Sequence, residues 1–236
     1  MTLRGWSLFL LCLPLATWAG RPMAVVKSAK GELRAAGGGQ DSAARDLKPA
    51  DLLASGVRIQ SGPEGKAVLR LLPEMSFLEV RGKTAFGMKR ARNAGKTLRR
   101  VRMDSGEVIF GLKKKGEAVQ CENAQTLITA TAPVSPGKGK PPGPTVRFSC
   151  AAWDKGDAIG IVQSGEISVY NRPKDLTAVV RAGQKAISDG TGIRISDATD
   201  AELDQVGFRQ NTLEVDFLNP QTEEFTTLEV DYETQF

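Results

Sequence analysis

Between Gly156 and Tyr170 two stretches with apolar residues at every second position are separated by a polar, glycine-containing break. Ile159 and Ile161 share one face of an extended segment, Gln163-Ser164-Gly165 turns the chain, and Ile167 and Val169 then alternate with Glu166, Ser168 and Tyr170. The pattern predicts strand, tight turn, strand. The same phrase, Ser-Gly-Glu before a β-branched residue, stands at Ser105-Gly106-Glu107-Val108, with a looser copy at Lys30-Gly31-Glu32-Leu33. The intervals between Gly31, Gly106 and Gly165 are unequal, so an irregular coil of strands is expected rather than a solenoid of fixed period. Glycine at these points allows the positive φ that turns require.

Other segments carry the same signature. Residues 23–30 and 32–36 read as a first pair of strands, and Gly37-Gly38-Gly39-Gln40-Asp41 as a loop. Pro49 suits the first position of a single helical turn through Leu53. Val57-Arg58-Ile59, a turn at residues 61–65, residues 66–72 and then 76–80 give strand, turn, strand, strand. Thr199 with Glu202 three residues on fits a capping box, and Gly207 ends the short helix it starts, around residues 201–206. Thr212-Leu213-Glu214-Val215-Asp216-Phe217 returns as Thr227-Leu228-Glu229-Val230-Asp231-Tyr232, each copy a half-buried strand pattern. The two copies make a terminal hairpin or two strands waiting for a sheet. The fold class expected is all-β, with one short helix and an acidic C-terminal tail.

Composition changes the picture in three places. First, of 236 residues 41% are hydrophobic, enough for a packed core. The start, Arg4 followed by an apolar run over residues 8–16 and Thr17-Trp18-Ala19, reads as a secretory signal peptide over residues 1–19, too short to span a bilayer. No later stretch is long and apolar enough for a transmembrane helix, so a periplasmic location is expected. Second, removal of Cys12 with that leader leaves Cys121 and Cys150, each at the end of an expected strand, in an oxidising compartment. They form a disulfide at the base of the Pro/Gly/Lys-rich stretch 133–144, or remain two separately buried thiols. Third, residues 196–236 hold eleven acidic residues against Arg209, a net of −10, whereas residues 20–195 hold 30 bases and 16 acids, a net of +14. A basic body, residues 20–195, carries an acidic tail, residues 196–236.

The order of the segments resembles that of a FecR-type periplasmic domain. Asp51-Leu52-Leu53, Gly56-Val57, Ile59-Gln60-Ser61, residues 65–71, Asp104-Ser105-Gly106-Glu107-Val108 and residues 161–169 stand as its successive segments. Ala182-Gly183-Gln184-Lys185-Ala186 is similar to its closing phrase, and the resemblance runs from Val25 to Ile195. Two turns depart from the family pattern. Pro73-Glu74-Met75-Ser76 replaces Asp-Gly-Ser, and Thr145-Val146-Arg147-Phe148 replaces Arg-Gly-Thr-x-Phe. The anti-sigma region and membrane helix of membrane-spanning FecR regulators are not recognised in this sequence. The resemblance implies a twisted, solenoid-like β domain acting through protein contact in envelope signalling, as adaptor or co-sensor for the extracytoplasmic domain of a membrane-anchored signalling protein.

Candidate chemistry is sparse. The sequence has no histidine, which removes Ser-His and Cys-His nucleophiles and the commonest zinc ligand together. The tail lacks the spacing of a calcium loop, and no glycine-rich phosphate loop precedes a helix. A non-catalytic protein without cofactor is therefore expected, a paired-carboxylate hydrolase being the enzymatic rival. Lys89, Arg90, Arg92, Lys96, Arg99, Arg100 and Arg102 make a stretch that reads either as a solvated hairpin tip or as a surface for anionic glycan, lipid head groups or the protein's own tail. Nucleic acid is disfavoured by secretion and by the want of interleaved aromatics. Leu213, Val215, Phe217, Leu228, Val230 and Tyr232 are the expected partner-binding residues, through strand addition to a partner's sheet edge, with packing on the basic body as the alternative.

Overall fold

The computed structural model describes residues 22–37, 44–73, 76–93, 96–113, 116–132, 146–153, 156–207, 210–218 and 225–233, the last two segments and residues 92–93 and 96–97 by their backbone. The expected leader, residues 1–19, and the stretch 133–144 lie outside these residues. Strands numbered along the chain fall into two facing sheets. In sheet A, β1 (Ala24–Lys30) has β4 (Leu52–Leu53) on one side and β6 (Lys66–Leu71) on the other. Then follow β7 (Ser76–Val80), the second half of β9 (Lys96–Leu112), β12 (Val146–Ala152), β13 (Ala158–Ser164), β16 (Gln184–Asp189) and β17 (Gly192–Asp197). Sheet B runs β3 (Arg45–Asp46), β2 (Leu33–Ala36), β5 (Val57–Ser61), β8 (Ala85–Asn93), the first half of β9, β10 (Ala118–Glu122), β11 (Thr126–Thr131), β14 (Glu166–Asn171) and β15 (Leu176–Arg181). The fold is all-β, open rather than closed, with one short helix.

The repeated glycine phrase marks where the chain changes sheet. Gly31 lies between β1 in sheet A and β2 in sheet B, Gly106 lies within β9 as it passes from B to A, and Gly165 lies between β13 in A and β14 in B. All three have positive φ, +73°, +87° and +78°. The corners also stack. A Cβ on Gly31 would meet Glu64 O at 2.5 Å, and one on Gly106 would overlap Thr84 Oγ1 and Cα. Backbone bonds link successive corners, Gly62 N donating to Glu32 O at 2.9 Å and Lys83 N to Gly62 O at 2.9 Å. Glycine is thus required twice over, by dihedral and by space.

The strand, tight turn, strand expected around Gln163-Ser164-Gly165 forms, and its turn is a corner between the sheets. β13 is flanked in its sheet by β12 and β16, and β14 by β11 and β15, so neither has room for the other as a ladder partner. The strands expected as a first pair, β1 and β2, and those around the turn at residues 61–65, β5 and β6, are likewise split between the sheets. The helical turn expected from Pro49 does not form. Ala50 takes φ +70°, Asp51 accepts from Lys48 N at 2.9 Å and Arg45 Nη1 at 2.7 Å, and the chain enters β4.

Between the sheets lies one core. Phe86, Phe110, Phe148, Ile59, Leu69, Leu78 and Met88 are fully buried, each contributing about 1.5–3 kcal/mol by removal from water. Phe110 and Phe148 stack at 5.0 Å. Gly160 of sheet A faces Ile167 and Ile128 of sheet B so closely that a Cβ would reach Ile167 Cδ1 at 2.9 Å. A second, small cluster lies on the outward side of sheet A, where Ile109 and Ile161 pack on Val206 of α1 (Asp200–Val206). The helix has the expected capping box, Thr199 with Glu202, and the expected end at Gly207.

Candidate interaction surfaces

Cys121 of β10 and Cys150 of β12 stand at disulfide distance, with Cα atoms 6.8 Å apart and both side chains buried. One belongs to each sheet, so the bridge crosses the core and encloses β11 as well as the stretch 133–144.

The basic stretch folds as the β8–β9 ladder, and its alternation sorts the cations by face. Register places Arg58, Gly87, Arg102 and Glu122 in one row across sheet B, and Lys89, Arg100 and Gln120 in the next. These rows lie on the outward face. Lys89 and Arg102 are exposed; Arg100 donates to Gln120 Oε1 at 3.2 Å, and Arg58 pairs with Asp104 at 2.7 Å. Arg90 turns away to Pro22 O at 3.4 Å. Arg99 leaves the expected anion surface altogether, because it points into the protein. Its Nη1 meets Glu117 at 2.5 Å and its Nη2 donates to Leu72 O at 2.8 Å, while Glu117 also accepts from Ser76 Oγ. A charge so placed is satisfied by an inward carboxylate rather than by a ligand in solution. The side chains of Arg92 and Lys96 lie outside the described residues.

Sheet stacking leaves an open end. β15 and β17 are the last strands of sheets B and A, and each pairs along one side only among the described residues, with β14 and β16. Leu176, Val179 and Ile195 on these strands are 49%, 46% and 42% exposed. Sequence reasoning missed this surface, because the same alternation marks a strand whether or not a neighbour covers it. Among the described residues, Leu52 of β4 and Trp153 of the β12–β13 turn are the other exposed large apolar side chains, at 60% and 49%.

On the outward face of sheet A, α1 contacts β13 and β12. Lys185 Nζ holds Glu202 at 2.7 and 2.9 Å, Arg81 Nη2 donates to Gln205 O at 2.6 Å, and Gln163 Nε2 donates to Leu203 O at 3.4 Å. Cationic and amide donors at the last carbonyls complement the helix dipole. The bond from Lys185, then that from Thr199 N, lowers the Glu202 carboxyl to about 2. Burial pushes the Arg147 guanidinium below its ordinary value, against the opposing pull of Glu79. Beside this face a shallow groove of about 360 Å³ is lined by Val25, Lys27, Pro49 and Arg70.

The duplicated tail segments pair with each other as β18 (Gln210–Leu218) and β19 (Phe225–Glu233), a separate two-stranded antiparallel ribbon. Leu213 opposes Val230, Val215 opposes Leu228, Phe217 opposes Thr226 and Asn211 opposes Tyr232. Directly opposed and alternate positions share a face. The six expected partner-binding residues therefore occupy one face of the ribbon, and Glu214, Asp216, Glu229, Asp231 and Glu233 the other. Their side-chain contacts lie outside the described residues.

No protein-family model and no curated protein matches this chain. Two crystal structures, each of a proposed anti-sigma factor from Parabacteroides distasonis, are similar to it. One is 16% identical with a TM-score of 0.44 over 59% of both chains, and the other 16% identical with a TM-score of 0.45 over 70% of both. The chain thus spans 59% of the length of the first.

Proposed function

We propose that this chain is a non-catalytic protein-binding module of the cell envelope, an adaptor or co-sensor for the extracytoplasmic domain of a membrane-anchored signalling protein. The observation that carries the reading is the open end. Two terminal strands whose outer sides are unpaired among the described residues, with half-exposed Leu176, Val179 and Ile195, offer main-chain groups for affinity and apolar side chains for selection, the requirements of strand addition. An uncovered edge is otherwise an aggregation hazard, which favours a partner that covers it. The resemblance of the segment order to FecR-type domains supports the envelope-signalling context, and a cysteine pair at disulfide distance suits an oxidising compartment. Among the described residues β18 and β19 pair only with each other, so the ribbon's outer main-chain edges offer a second contact.

The test is affinity capture from solubilised envelope with the wild-type chain, a Leu176→Asp/Ile195→Asp variant and a Lys89→Glu/Arg102→Glu variant. A membrane-anchored protein with an extracytoplasmic domain should be retained by the wild type and by the charge variant, and lost by the open-end variant. Retention by the open-end variant removes the reading.

A second reading rests on the outward face of sheet B, where Lys89 and Arg102 are exposed beside Arg58 and Arg100 around Gly87. It makes the chain a binder of anionic glycan or lipid head groups. That ligand should be released by salt and lost in the Lys89→Glu/Arg102→Glu variant.

A further inference from the structure

The outward face of sheet A is sealed over a wider area than α1 covers. The helix contacts β13 and β12, yet farther along the sheet Arg70 of β6 and Phe77 of β7 are only 7% and 6% exposed. Arg70 Nε and Nη2 and Arg147 Nε are shut off from water. Arg70 and Lys113 stand over the Phe77 ring at 5.4 and 4.7 Å, a cation on an aromatic face. Those contacts order the patch but leave its outer side to be covered. A sheet face that carries cations next to an aromatic ring is not withdrawn from water without something lying on it.

We infer that the acidic C-terminal ribbon, residues 210–233, is that cover, packed in cis with its apolar face on Phe77. Three further observations select this occupant. The first is delivery. Arg81 ties Gln205 O while its Nε pairs with Glu79 at 3.0 Å, and Arg147 donates to Gln163, which in turn donates to Leu203 O, so the end of α1 is fastened to the patch itself. Gln210 is three residues beyond Gly207, within about 10 Å of it even if the chain is fully extended. The second is charge. Residues 210–233 contain seven acidic residues and no base, so the ribbon as a whole is drawn toward a patch that carries Arg70, Lys113 and Arg147. The third is the ribbon's own need. A lone two-stranded hairpin is marginal in water, and Glu214 directly opposes Glu229 across the ladder, a like-charge pair that weakens it further. Six apolar positions on one face provide the packing that offsets this. The inference does not depend on whether the open end takes a partner strand.

Hydrogen exchange on the full chain, with its mass determined in parallel by light scattering, decides the matter. Amides of residues 210–218 and 225–233 should exchange at least about tenfold more slowly than unstructured amides in a monomeric protein. An Arg70→Glu/Arg147→Glu variant and, separately, Phe77→Ala should each remove that protection while the amides of β9–β12 stay slow. If charge reversal disturbs the β9–β12 amides, the Phe77→Ala result decides. Unprotected ribbon amides in the wild type overturn the proposal, as does protection indifferent to Phe77→Ala. Protection confined to a dimer also overturns it, and assigns the cover to the ribbon of a second copy.

Discussion

Arg99 and Glu117 show how one inward charge is held in this core. Arg99 Nη1 is 2.5 Å from Glu117 Oε1 with both side chains nearly sealed from water, Ser76 Oγ also donates to Glu117, and Arg99 Nη2 donates to Leu72 O. Replacing Glu117 with Ala removes a partner and leaves the guanidinium desolvated, so urea unfolding should show a loss of about 3–5 kcal/mol. The double variant Arg99→Met/Glu117→Leu should lose far less, since no buried charge remains. Equal losses in the two variants would contradict this account. Glu202 makes a different case on the surface. Its carboxyl is lowered from 4.5 to about 2 by Lys185, so the contact favours the folded state at all pH above 4.5 and is lost as pH falls from there through about 2. Carboxyl chemical shifts should titrate with a midpoint near 2, and Lys185→Ala should move it back up. A wild-type midpoint near 4.5 would show the clamp to be absent.

Among the elements, the glycine corners decide the path of the chain. Gly106 and Gly183 have nearly the same φ, +87° and +83°, but a Cβ on Gly106 would overlap Thr84 whereas none of the described residues lies within 4 Å of one on Gly183. Gly183→Ala should therefore carry the dihedral strain alone, on the order of 1 kcal/mol. Gly106→Ala should cost clearly more, read as the difference in urea midpoints; equal costs would mean that the corners do not stack. The positions of these corners were legible in the sequence, because the Ser-Gly-Glu phrase reports a local dihedral. That they switch sheets was not, since a hairpin and a corner begin with the same residues and only the neighbours on either side of β13 separate them. Capping at Thr199 and Glu202 was legible for the same local reason. The burial of Arg99 was not, because its partner Glu117 is 18 residues away and brought alongside by the parallel pairing of β9 with β10. The open end was equally hidden. Leu176, Val179 and Ile195 read as ordinary strand positions, and their exposure follows from being in the last strand of each sheet.

At the scale of the whole molecule, two sheets joined through β9 and bridged by Cys121 and Cys150 make a stack that grows by pairs of strands and ends at β15 and β17. The bridge closes a loop with a sequence separation of 29. The Cys121→Ala/Cys150→Ala variant should lose about 3–4 kcal/mol, and the denatured, unreduced wild type should show no free thiol at either position. Two titratable thiols there would leave the sheets held by packing alone. The central claim is that the open end is the docking surface, and an exchange footprint on the purified complex with the captured envelope partner tests it most directly. Amides of β15 and β17 should slow on complex formation, with those of β8 and the first half of β9 unchanged. Slowing confined to β8 and β9, or no slowing at β15 and β17, would contradict it.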